Sequence, residues 1–167
     1  MYGTLKTGQC NHPPIAPGVA AKARAWTWGR LADMPEGCPM LFAPPAGILA
    51  HARGPAHADL ATQGAARPPE HALSHAPGPL WRTVAGQVLY LDDPARWLPE
   101  LDALEDFGPM EPSLYCRVPL PVAVGAVAGK TAVRACWAYI SPHSHALAAH
   151  GATPLTLPPC PCNSPPL

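Results

Sequence analysis

The stretch Asp92-Asp93-Pro94-Ala95-Arg96-Trp97-Leu98-Pro99-Glu100-Leu101-Asp102-Ala103-Leu104-Glu105 decides how the rest of the chain reads. An aspartate ahead of a proline starts a helix. The carboxylate accepts from first-turn N–H groups, and proline at the first helical position lacks a donor that would go unsatisfied anyway. The pattern predicts a helix from Pro94 to about Glu105. Trp97, Leu98, Leu101, Leu104 and Glu105 then share one face, so a carboxylate closes an apolar stripe. Pro99 lies in the early turns and is expected to bend the helix or delay its start.

Strand signals lie on both sides of this helix. Val84 to Leu91 alternates branched apolar residues just before it. Tyr115 to Val124 follows it, and its prolines suggest an edge or a bulge. Thr131 to Ile140 places Val133, Ala135, Trp137 and Tyr139 on one face. Nearer the N-terminus, Ala20 to Arg30 reads as a strand with Trp26 and Trp28 on the same face, and Gly29 marks a bulge or a close backbone approach. Met34 to Pro39 reads as a turn. The fold class expected is α+β: a small mixed or antiparallel barrel-like sheet with one main helix.

Residues 43–80 lack a sustained period and are rich in alanine, histidine, proline and glycine. They read as a low-complexity insertion, largely unstructured, that the core does not need. The chain from Pro154 onward is proline-rich with two cysteines and no packing signal. The expected organisation is one domain over residues 1–150 followed by a disordered tail over 151–167.

Eleven basic residues balance eleven acidic ones in 167 residues, which leaves no electrostatic reason to bind nucleic acid or an anionic membrane. No apolar run approaches the ~18 residues of a membrane span. Six cysteines without a secretory apolar segment ahead of them are expected to be free thiols, and the expected location is the cytoplasm. His143, His145 and His150 lack a nearby carboxylate and a ligand-like spacing, and Cys160-Pro161-Cys162 alone is a weak metal signal, so no metal site is expected.

Two segments carry chemistry together: Tyr2-Gly3-Thr4-Leu5, and Leu101-Asp102-Ala103-Leu104-Glu105 with Tyr115-Cys116-Arg117 ten residues later. Between them stand Gly29-Arg30-Leu31 with Asp33 and Pro39, and Gly86-Gln87-Val88-Leu89-Tyr90. In this order the set resembles the gamma-glutamylcyclotransferase-like (AIG2-like) superfamily over roughly residues 2–42 and 81–140. The resemblance implies an enzyme that releases 5-oxoproline from a small gamma-glutamyl amine or peptide. The substrate's own alpha-amine closes the ring on its side-chain amide, a tethered attack with little entropy left to lose.

By the same resemblance, Glu105 is the one carboxylate that moves the protons, as general base and then general acid. Tyr2, Gly3, Thr4 and Leu5 form the backbone nest that binds the substrate's alpha-carboxylate, and Tyr115 lines the pocket. No metal or organic cofactor enters this chemistry. Read without the resemblance, Asp102 is a helix-surface carboxylate, and Arg117 is an exposed strand charge. Tyr139 is open between packing and the site. The chain departs from the family pattern in three ways. Met1 directly precedes Tyr2, where an apolar strand is expected. Asp106 stands where glycine is common and is expected to raise the Glu105 pKa if both carboxylates are desolvated. The 43–80 segment has no counterpart. The alternative reading is a non-catalytic small-molecule binding module that keeps the fold and pocket.

Overall fold

The computed structural model describes residues 12–33, 39–108, 113–127 and 130–150. A 15-residue strand, β1 (Val19–Asp33), organises the sheet. It pairs antiparallel with β3 (Arg82–Leu91) along Val19–Gly29, with β2 (Pro39–Phe42) along Arg30–Asp33, and with β4 (Cys116–Val127) at Ala25 and Trp26. Along its whole length β4 pairs antiparallel with β5 (Lys130–Ile140). The order is β2-β1-β4-β5 with β3 on β1, and every pairing is antiparallel. The end of β5 returns to β2, where the Ser141 N–H donates to Leu41 O at 2.7 Å. The chain is therefore α+β, with a curled five-stranded antiparallel sheet as the expected barrel-like element.

Close approach explains two glycines. A Cβ at Gly29 would stand 2.7 Å from a Leu41 methyl and 3.0 Å from the Phe42 carbonyl, so β2 can lie tight against β1 only there. A Cβ at Gly18 would stand 2.1 Å from the Trp97 indole. Trp26 and Trp28 meet edge to face at 5.6 Å between centroids, as same-face strand residues.

The prolines of β4 do not make it an edge strand. They fit because Pro119 and Pro121 pair with β5 at positions that need no N–H, and the opposite side of β4 is satisfied through carbonyls. Arg117 O accepts from Ala52 N, Pro119 O from Leu49 N and Pro121 O from Thr27 Oγ1. A short loop strand-like in its contacts, residues 49–52, thus stands beside β4 where β1 diverges.

Residues 43–80 are ordered, which corrects the reading of them as largely unstructured. They hold α1 (Ala56–Ala65), and Ala43, Asp59 and Leu73 are buried. The helix is anchored electrostatically: Asp59 Oδ2 lies 2.5 Å from Arg117 Nη2 on β4, with both side chains sealed from water. Asp59 Oδ1 also accepts from the Arg53 N–H at 3.0 Å. The segment escaped the periodicity argument because its fastening is one ion pair and a few backbone bonds, with little apolar stripe. The expected Tyr2–Leu5 loop, the Met34–Pro39 turn up to its last residue, and the tail over 151–167 lie outside the described residues; Pro39 opens β2. Among the described residues no helix is long and apolar enough to cross a membrane.

Removing one partner of a buried ion pair leaves the other charge uncompensated, at a cost of ~3–5 kcal/mol. Asp59→Ala is expected to lower unfolding free energy by about that much in denaturant titration. Replacing residues 46–79 by a Gly/Ser linker is expected to destabilise the sheet comparably, since it removes the same carboxylate and the donors of Leu49 and Ala52.

Candidate active site

The helix α2 (Pro94–Leu104) forms as its sequence dictates. Asp93 is the N-cap and accepts from the Arg96 N–H at 3.2 Å, and Pro94 occupies the first turn. Trp97, Leu98 and Leu101 are its buried residues, and Trp97 Nε1 donates to Asp92 Oδ1 at 2.9 Å. Pro99 is accommodated inside the helix. At the C-terminal end Glu105 is the cap, with its N–H on Leu101 O at 3.0 Å. Asp106 then takes a left-handed conformation, φ 47°, and the Phe107 N–H returns to Asp102 O at 2.9 Å. That 6→1 bond with a left-handed residue is a Schellman stop, and it explains why glycine suits position 106.

This stop fixes Glu105 half-buried at the helix end. Among the described residues no hydrogen-bond donor or cation meets its carboxyl. Burial pushes the group up to about 7. The rise comes from burial; Asp106 is exposed, so the like-charge effect expected for two desolvated carboxylates does not arise.

Beside the helix end lies a buried charge network. Arg117 is 1% exposed and stands between the Phe107 and Trp137 rings, 5.1 Å from each centroid. Besides Asp59 it reaches Asp102 Oδ2, 3.2 Å from Nη1, close enough for charge attraction but off line for a hydrogen bond. The Tyr139 hydroxyl donates to Asp102 Oδ1 at 2.7 Å. Burial raises the Asp102 carboxyl, against the opposing pull of the Tyr139 hydrogen bond and the Arg117 charge. Burial and the neighbouring Asp102 hold the Tyr139 phenol well above its ordinary value, and Glu105 is close enough to add to that rise. Asp102 is thus a bridging carboxylate and not a surface one, and Arg117 is a buried cation and not an exposed charge.

Tyr115 is 6% exposed and packs in one core cluster with Leu101 and Tyr139. The structure brings Glu105, Tyr115 and Tyr139 to the same end of α2. Tyr2, Gly3, Thr4 and Leu5 lie outside the described residues. Asp59 is the residue that sequence reasoning missed; its one signal is a lone carboxylate in an otherwise acid-free helix. A cavity of about 360 Å³ adjoins the network: Leu101 and Tyr139 belong to its wall, whereas Glu105 and Tyr115 do not. Among the described residues no group of three His, Cys, Asp or Glu side chains is placed to hold a metal.

The left-handed φ of Asp106 costs less in glycine. Asp106→Gly is expected to stabilise the fold by ~0.5–1 kcal/mol, readable as a raised denaturation midpoint with unchanged slope.

Curated proteins and solved structures contain no match to the chain. Residues 59–154 match the family described as gamma-glutamyl cyclotransferase, AIG2-like. That span begins at Asp59, inside the segment first read as an insertion, and it includes Asp102, Glu105, Tyr115, Arg117 and Tyr139. It covers more than half of the chain, so the protein belongs to the gamma-glutamyl cyclotransferase, AIG2-like family.

Proposed function

We infer that the protein releases 5-oxoproline from a small gamma-glutamyl amine or peptide, with Glu105 as the proton shuttle. One observation carries this reading: a half-buried carboxyl at the end of α2, without a hydrogen-bond partner among the described residues and with a pKa of about 7. A group poised there is part carboxylate and part acid at neutral pH, as a base that must later act as an acid requires.

The Glu105 carboxylate takes a proton from the substrate's alpha-ammonium. The freed amine nitrogen attacks the side-chain amide carbon, and a five-membered ring forms. The carbon–nitrogen bond to the leaving amine breaks as Glu105 returns the proton to that nitrogen; the ring nitrogen gives up its second proton, and the released amine takes it up to leave as an ammonium. The Tyr2–Leu5 backbone is assigned the alpha-carboxylate, and Tyr115 a contact with the substrate outside the 360 Å³ cavity. The Asp102–Arg117–Tyr139 network keeps the helix end in place during both transfers. No cofactor is needed for these steps.

Glu105→Gln keeps shape and removes basicity. Release of 5-oxoproline from a panel of gamma-glutamyl compounds is expected to fall by at least ~10²-fold, while ligand binding persists. Equal turnover in the variant would refute the shuttle. Binding of the panel without any 5-oxoproline from the native chain would identify a non-catalytic binding module instead.

The same carboxyl sets a pH dependence. As a base it must be ionised, so kcat/KM is expected to rise through about pH 7. For stability the sign is the reverse. Between the unfolded value of 4.5 and the folded value of about 7 the native state holds a proton that the unfolded chain has lost, so native stability falls as pH rises. Glu105→Gln lacks that loss. It is expected to match the native chain below pH ~4.5 and to exceed it by ~1–3 kcal/mol at pH 8, measured by denaturant unfolding at both pH values.

A further inference from the structure

The 360 Å³ cavity has walls of an uncommon kind: two strands that end the sheet on either side. Among the described residues β3 pairs only with β1, and β5 only with β4. Residues 84–91 of β3 and 134–139 of β5 line the same space.

The prolines of β4 determine which way the β5 backbone points. Pro119 stands opposite Trp137 and Pro121 opposite Ala135. A proline has no N–H, so these are the non-hydrogen-bonded pairs of the ladder. The backbone groups of Ala135 and Trp137 are therefore turned away from β4, toward the cavity. The far side of β4 agrees with this register, since the carbonyls of Arg117, Pro119 and Pro121 are all turned away from β5. On the cavity side, Ala135 O accepts from Gln63 Nε2 at 3.0 Å. A side-chain amide occupies the place of a neighbouring strand's N–H. Among the described residues nothing comparable meets the Ala135 N–H or either backbone group of Trp137.

Much of the remaining wall is apolar, with Leu41, Val88, Leu98, Leu101, Leu120 and Val122 among its residues, and among the described residues it contains no carboxylate. Arg134, the one ionic side chain among the described wall residues, is exposed at the rim. A purely apolar small molecule would cover these side chains but leave the Ala135 N–H and the Trp137 N–H and C=O without partners, which costs free energy once water is excluded. An extended peptide satisfies both demands. We propose that the groove between β3 and β5 is a β-strand acceptor site for an extended apolar peptide segment of about six residues, the length of β5 that faces it.

The test uses the full chain and an end-capped hexapeptide alternating valine and threonine. Trp26 and Trp137 line the groove, so binding is read as saturable change in tryptophan fluorescence and as a melting temperature that rises with peptide concentration. A second peptide carries an N-methyl group on every residue: same side chains, no donors along either edge. It is expected to bind at least ~10-fold more weakly, whichever edge meets β5. Ala135→Pro removes an N–H directed at the groove and none of the β4 ladder, and is expected to weaken the unmodified peptide likewise. If that variant does not fold, the methylated peptide on the native chain decides alone. Equal binding of both peptides would show an apolar small-molecule pocket and overturn the proposal. So would absence of binding at millimolar peptide, or self-association of the chain that excludes the peptide and assigns the groove to a second copy.

Discussion

A guanidinium removed from water must be neutralised nearby, and Arg117 is such a group. Asp59 from α1 and Asp102 from α2 share its charge, and two aromatic rings enclose it. Three elements far apart in sequence are thereby held to one point on β4. The arrangement also determines what Glu105 experiences. The buried cation is already matched by two acids, so none is left for the third carboxylate one turn further along α2. Burial is then the largest influence on its proton affinity, opposed by the positive charge of the chain's N-terminus, and a value near neutrality results. Adding a cation beside Glu105 would return that carboxylate toward permanent ionisation.

What could be read from sequence was what local chemistry controls. Asp93, Pro94 and the apolar spacing defined α2 to within a residue, because capping and periodicity act within a few positions. β3 and β5 were legible from alternation, and Gly29 from its place between strand residues. The 43–80 segment was misread because its order depends on Arg117, 58 residues away from Asp59, and no local pattern carries that information. The same blindness made Asp102 and Arg117 look like surface charges. Glu105 was identified by family resemblance; its residue type and position alone fit any solvated helix end. Asp106 was noticed as a departure, but its cause became visible only in the left-handed turn.

Two local features at the end of α2 oppose folding. One is a half-buried carboxyl without a hydrogen-bond partner among the described residues; the other is an aspartate in a conformation that glycine adopts more easily. Both sit within two residues of each other, where the proposed chemistry is, while the rest of the helix follows its propensities. Strain of this kind persists only where surrounding structure over-determines it. Here the Schellman bond from Phe107 and the Tyr139–Asp102–Arg117 network supply that support.

The position of β1 has a kinetic consequence. It comes early in the described chain, and β2 follows it closely, yet its other two partners arrive late: β3 starts at Arg82 and β4 at Cys116. The bond from Thr27 to Pro121 spans 94 residues, and that from Ala43 to Ser144 spans 101. During synthesis the Val19–Gly29 part of β1 must wait, unpaired, while most of the domain is still being made. Loop-closure entropy is lost before these long-range contacts return any stabilisation, which places the chain among slow-folding, high-contact-order topologies. Through that interval the exposed edges of β1 are open to pairing with other chains, so the yield of native protein depends on how long nascent β1 is kept from such encounters.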